Sequence, residues 1–143
     1  MTVFRHFGIA VSDLEQALAF YEGLLGLNVE TRKLEEGPFL ESILGIKGVR
    51  VTTVKMSGTA GPQIELLAFE FPTPLPPRSF TQYGPTHIAL TVTDIDMLYD
   101  RMLEANFDVN TPPSLSPDGK MKVMFCRDPD QTWLELVEVI GSC

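Results

Sequence analysis

Two histidines are all that this chain of 143 residues contains, and each heads the same phrase: HFGIAVSDL from His6 and HIALTVTDI from His87. Two glutamates recur in the same way, Glu65 in QIELLAF and Glu135 in WLELVEV. One imidazole and one carboxylate from each half make a donor set for a divalent metal ion. Imidazole suits Zn, Fe, Ni and Co, and carboxylate oxygens suit the harder Mn and Mg. Two carboxylates also neutralise a divalent ion, so its burial leaves no large net charge to desolvate. A lone histidine at a strand start is usually a hydrogen-bonded structural residue, and a lone strand glutamate usually faces water. The repeat changes that reading, because both residue types return together.

Two similar modules must position the four. The histidine phrases are offset by 81 residues and the glutamate phrases by 70, so the first half carries extra residues between its phrases. The segment GPFLESILGIKG, 37–48, is the insertion and reads as a short helix. FRHFGIAV alternates, with Phe7, Ile9 and Val11 on one face and His6, Gly8 and Ala10 on the other. The second copy sets Ile88, Leu90 and Val92 against His87, Ala89 and Thr91. A helix follows each phrase. Ser12 with Glu15 forms a capping box, and Leu14, Ala17, Leu18, Tyr21 and Leu25 mark an apolar stripe that ends near Gly26. The second helix runs from Thr93 or Asp94 to about Ala105, with Ile95, Leu98, Tyr99 and Met102 as its stripe. Extended segments follow at 27–34, 49–57 and 62–70, and again at 107–110, 120–126 and 131–139. The order is βαβββ, twice. Between the copies, FPTPLPPRSF has four prolines in ten residues and reads as an extended linker. Residues 1–143 thus form one domain: module one 1–70, linker 71–84, module two 85–143.

The glutamates then fall on the histidine face. In QIELLAF the core face holds Ile64, Leu66 and Ala68, which turns Glu65 the other way with Gln63 and Leu67. In WLELVEV the core takes Leu134 and Leu136, which leaves Glu135 beside Trp133 and Val137. A pseudo-twofold arrangement of modules would gather His6, Glu65, His87 and Glu135 about one ion. Glu138 is a contrast: it lies three residues past Glu135, on the core side or a sheet edge, with no counterpart in the first half.

The bulk properties exclude other classes. A net charge of −8 argues against nucleic acid or anionic lipid as the main partner. No apolar run approaches the roughly 20 residues of a membrane-spanning helix. MTVFRHFG lacks the continuous apolar core of a secretory signal. Cys126 and Cys143 are too few for a disulfide framework and are not spaced as CxxC, which suits a reducing compartment. The expected location is cytoplasmic.

The phrases HFGIAVSDLEQALAFYEGLLGL, HIALTVTDIDMLYDRMLEANF and RDPDQTWLELVEV, set in paired βαβββ units, resemble the vicinal oxygen chelate superfamily. That family includes glyoxalase I, methylmalonyl-CoA epimerase, extradiol dioxygenases and fosfomycin or bleomycin resistance proteins. The resemblance covers nearly the whole chain. It implies an α+β fold in which two tandem βαβββ modules form a curved mixed-sheet half-barrel around a metal cavity, with ligands from the first and last strands. Carried over, the ligands are His6, Glu65, His87 and Glu135, the set that the repeat gave. One departure is DPDQ, 128–131, where the family usually has DPDG. Losing the glycine disfavours a left-handed residue there and predicts a different turn.

The resemblance implies a metal-dependent lyase, isomerase or epimerase of the glyoxalase I type. Its divalent ion, Zn, Ni, Fe, Mn or Co, would polarise vicinal oxygens of a small carbonyl substrate, and Glu65 or Glu135 would move a proton through an enediolate. A fourth ligand at Glu65 sets the chain apart from extradiol dioxygenases, which use two histidines and one carboxylate. Dioxygenase and small-molecule or antibiotic-binding resistance protein are the alternatives. A glutathione substrate would call for basic residues at the pocket mouth. Arg5, Arg50, Lys55, Lys120 and Lys122 are available, but each reads as solvated surface charge. Phe39, Leu67, Phe125 and Trp133 are candidates for an apolar pocket wall. Sheet edges that need cover predict a homodimer.

Overall fold

The repeated phrase folds the same way in both halves. The computed structural model describes residues 1–76 and 78–141, so Pro77, Ser142 and Cys143 lie outside the described residues. The chain divides into two compact units, Met1–Leu75 and Pro76–Cys143. The division falls inside the proline-rich linker, so part of that segment belongs to each unit.

In the first unit, β1 (His6–Ala10) leads into α1 (Leu14–Leu18), which continues as a π-helical turn over Ala19–Leu24. Then come β2 (Asn28–Glu36), α2 (Pro38–Leu44), β3 (Arg50–Ser57) and β4 (Gln63–Phe69). The sheet order is β1-β4-β3-β2. The β1–β4 pair is parallel and the others antiparallel. Ile9, Val11, Ile64, Leu66, Val54 and Met56 are buried on one face with Ala17, Leu18, Phe20, Tyr21 and Leu24 of the helix. The helical stripe is therefore wider than the sequence reading, gaining Phe20 and Leu24, while Leu14 and Leu25 are only half-buried. Phe7 departs from the alternation. It is 41% exposed and stacks on Phe4 at 6.1 Å between ring centroids.

The second unit repeats the plan with β5 (Ile88–Thr91), α3 (Ile95–Glu104), β6 (Ser114–Leu115), β7 (Met121–Arg127) and β8 (Trp133–Val139) in the order β5-β8-β7-β6. Ile95, Leu98 and Met102 of α3 are buried with Met124, Cys126, Leu134 and Leu136. The strand expected at 107–110 is reduced to one bridge, Val109 to Cys126, and the edge strand forms later at Ser114–Leu115. Pro112 and Pro113 intervene, and proline has no N–H for a ladder.

Both helices start on the aspartate of the repeated phrase. Asp13 accepts from the Gln16 N–H at 3.1 Å, and Asp94 accepts from the Met97 N–H at 3.1 Å. The cap of α1 is thus one residue later than the Ser12–Glu15 box, since a carboxylate caps as well as a hydroxyl. Glu15 instead pairs with Arg32 at 2.8 Å. The inserted α2 is bounded by Gly37 and by Gly45, the latter left-handed at φ 68°, as a helix-ending glycine should be. No helix among the described residues is long and apolar enough to cross a membrane.

The DPDQ turn also differs from expectation. Gln131 takes the left-handed position at φ 69° although it is not glycine. Buried Asp128 accepts from the Asp130 and Thr132 N–H groups at 2.9 Å each, and Gln131 accepts from Arg127 Nη1 at 2.7 Å. These bonds over-determine the turn and hold the strained residue in place.

Candidate metal centre

Each unit brings together one histidine and one glutamate at the parallel end of its sheet: His6 at the start of the edge strand β1 with Glu65 on β4, and His87 just before the edge strand β5 with Glu135 on β8. In the first, His6 is paired in register with Gln63, and Glu65 lies two residues further along the same face. His6 Nε2 is 3.4 Å from Glu65 Oε2. In the second, Ile88 pairs with Leu134 and Ala89 with Glu135, which sets His87 and Glu135 in the same diagonal relation. His87 Nε2 is 3.0 Å from Glu135 Oε2. The residue opposite each glutamate is small, Gly8 in one unit and Ala89 in the other. A Cβ at Gly8 would come within 3.2 Å of Leu67 Cδ1, so glycine there keeps the Glu65 face open.

The two pairs differ in their surroundings. Glu65 is buried, with its side chain 11% exposed against 26% for Glu135. Lys55 on β3 stands directly opposite Glu65. Lys33 has its pKa raised, mainly by its hydrogen bond to Glu35 and that residue's charge, with a smaller push from the charge of Glu65. Thr53 shares this face; it is buried, and its hydroxyl has no protein partner. In the second unit the residue opposite Glu135 is Phe125. The His87 ring lies 5.2 Å from that of Phe125, and Phe125 lies 6.3 Å from Trp133. Thr86 Oγ1 is 2.8 Å from His87 Nδ1, which fixes the ring and aims Nε2 at Glu135.

The other sequence candidates spread out. Leu67 lies on the Glu65 face of β4 and is half-buried. Phe39 is 78% exposed on α2, a helix with no buried residue. Arg50 is engaged by Glu36 at 2.6 Å and Glu70 at 3.1 Å, and Lys122 by Asp96, as surface charges are. Glu138 turns to the helix side, accepting from the Asp94 and Ile95 N–H groups at 3.2 and 3.1 Å. Thr86, Phe80 and Arg127 are neighbours of the second pair that sequence reading missed. Thr86 offered only adjacency to His87, and Phe80 was hidden in a segment read as linker.

Within either unit, no set of three or more His, Cys, Asp and Glu side chains among the described residues is placed to hold an ion. Each unit holds one imidazole nitrogen and one carboxylate oxygen side by side, at 3.4 Å in the first and 3.0 Å in the second, two donors that an ion could share. Donor types, the open face left by Gly8 and Ala89, and the second partner of His87 fit a divalent ion.

A family model described as Glyoxalase/Bleomycin resistance protein/Dioxygenase superfamily matches residues 3–136. A lactoylglutathione lyase of Schizosaccharomyces pombe is 30% identical over 142 residues, covering 93% of this chain and 46% of that protein. The chain thus spans about half the length of the curated relative it matches. A glyoxalase family protein from Bacillus cereus superposes with a TM-score of 0.88 at 23% identity, covering 99% of this chain and 96% of the other. The trypanothione-dependent glyoxalase I of Leishmania major superposes with a TM-score of 0.67 at 22% identity, covering 96% and 87%. At these identities the two structures are likenesses of fold.

Proposed function

Because the chain belongs to the glyoxalase/bleomycin resistance protein/dioxygenase superfamily, we propose that it is a metal-dependent glyoxalase-like enzyme. It acts as a lyase, isomerase or epimerase on a small carbonyl compound with two adjacent oxygens. The observation that carries this reading is the duplicated pair, His6 with Glu65 at 3.4 Å and His87 with Glu135 at 3.0 Å, at equivalent strand positions. A hydrogen-bonded structural histidine needs no such duplication, whereas a four-ligand ion does.

The ligand set is His6, Glu65, His87 and Glu135, two imidazoles and two carboxylates. A divalent ion held there supplies Lewis acidity to the substrate oxygens. The protein's own part is positioning and proton transfer. Thr86 keeps the His87 ring in orientation. A carboxylate oxygen of Glu65 or Glu135 takes a proton from the carbon beside the carbonyl and returns it to carbon, so no oxidant or reductant is consumed. Glu65 has the drier surroundings and Lys55 opposite it, and burial strengthens each electrostatic contact it makes. The active form is a homodimer, the commonest way to cover free sheet edges.

The test is hydrogen exchange. In heavy water, with a divalent ion present, the protein should place deuterium at the carbon next to the carbonyl of a turned-over substrate without oxygen uptake. Glu65→Gln and Glu135→Gln keep side-chain shape and remove basicity, so the base is the one whose variant loses exchange by about 10²–10⁴-fold. Oxygen-dependent turnover of a vicinal diol would overturn the proposal in favour of ring cleavage.

A further inference from the structure

We propose that the His87 half of the site selects its substrate by an aromatic substituent, with Phe80 as the specificity-determining side chain. This rests on the reading above and names its substrate class: a small compound with two adjacent oxygens and an aromatic group on the neighbouring carbon. All the residues concerned belong to the second unit.

Phe80 comes from the segment that its four prolines mark as a spacer, yet it is held in a built turn. The Ser79 N–H donates to Gln82 Oε1 at 2.9 Å, the Gln82 N–H donates back to the Ser79 carbonyl at 3.3 Å, and the hydroxyls of Ser79 and Thr81 lie 3.0 Å apart. The turn sets the Phe80 ring 4.6 Å from Trp133, 5.2 Å from Phe125 and 6.3 Å from His87. Phe125 is the strand partner of Glu135, and Trp133 precedes Glu135 by two residues on the same face. Phe80 and Phe125 therefore flank the His87 ring, and Trp133 packs against both of them.

This cluster is not a core. Phe80 is 41% exposed, and Phe125 and Trp133 are only half-buried. Rings that served packing alone would be covered like Phe20 and Tyr21, which are fully buried. The nearby cation is engaged through its outer nitrogen Nη1, while its buried Nε has no hydrogen-bond partner among the described residues. The Arg127 guanidinium lies 4.0 Å from the Trp133 ring centroid, donates to Gln131 at 2.7 Å and has Asp108 at 3.8 Å. A partly open aromatic face with its charge compensated favours a ring or apolar group over an anionic chain. The Glu65 half has Lys55 where this half has Phe125 and Gln63 where it has Trp133, so the choice is made on the His87 side.

Mandelate and lactate share adjacent oxygens and differ in carrying a phenyl or a methyl group, and Trp133 is the chain's single tryptophan, so its emission reports contact. Affinities are measured by calorimetry and Trp133 emission on the protein as purified, with metal content read in parallel by elemental analysis. Mandelate should bind at least about tenfold tighter than lactate. Phe80→Ala should cut that ratio to about threefold or less with metal content unchanged. Phe80→Leu, which keeps apolar bulk to hold the turn, should lower it in the same direction, and Phe80→Tyr should preserve it. Equal affinities in the wild type, or a ratio unmoved by Phe80→Ala and Phe80→Leu, would overturn the proposal. A wild type without metal fails the metal-centred reading instead, and the ratio still decides this one.

Discussion

Glu135 and Glu138 stand three residues apart on β8 and serve opposite sides of the sheet: Glu135 Oε2 meets His87 Nε2 at 3.0 Å, while Glu138 accepts the first N–H groups of α3 at 3.1 and 3.2 Å. The two acids should separate cleanly on mutation. Glu138→Ala should destabilise by about 1–2 kcal/mol, because it strips a helix start of its acceptors, and should leave metal retention intact. Glu135→Ala should abolish tight metal retention yet shift the stability of the metal-free protein by less than about 1 kcal/mol, as expected of a part-exposed pair. Urea unfolding and elemental analysis of both variants check this; loss of metal in Glu138→Ala would contradict it.

The proposed ligands fall in different units, His6 and Glu65 in the first and His87 and Glu135 in the second, so sharing between chains can be read by mixing. His6→Ala breaks the first half of the set and Glu135→Ala the second. If unit one of one chain completes its site with unit two of its partner, a mixed dimer keeps one intact site and regains about half of the metal and activity per dimer. If each site is complete within a chain, mixing restores nothing. A monomeric mass at micromolar concentration would refute the dimer.

Cys126 is fully buried, and its pKa is pushed up to about 12, first by burial and then by the charges of Asp128 and Asp108. In a Cys143→Ser background it should not react with thiol reagents until the protein unfolds. The same shift sets an alkaline dependence. The native thiol holds its proton more tightly than the unfolded one, so this contribution to stability is complete below the ordinary value near 9.0 and is lost as pH rises toward about 12. Its slope is at most about 1.4 kcal/mol per pH unit. Cys126→Ala should remove that component from the alkaline limb of the stability curve, and an unchanged slope would refute the assignment.

Much of the fold could be read from periodicity, because His6 and His87, Asp13 and Asp94, and Glu65 and Glu135 recur with the strands and helix starts that carry them. The misses have local causes. Ser12 and Asp13 are adjacent residues that can both cap, and only geometry chose Asp13. Gln131 is left-handed because Arg127 and Asp128 hold its turn, contacts that composition does not display. Pro112 and Pro113 displaced the edge strand from 107–110 to Ser114–Leu115. Phe80 escaped notice because its partners, Phe125 and Trp133, lie more than forty residues away. The face of Glu135 was legible from alternation, whereas its aromatic surroundings needed the pairing of β7 with β8.

The central claim is that His6, Glu65, His87 and Glu135 hold one divalent ion, and metal content per chain tests it most directly. Elemental analysis of wild type, His6→Ala, His87→Ala and the double variant, each loaded with divalent metal and then dialysed, should give about one ion per chain for wild type. Each single variant should lose high-affinity retention, and the double variant should hold none. Equal metal content in wild type and the double variant would contradict the account.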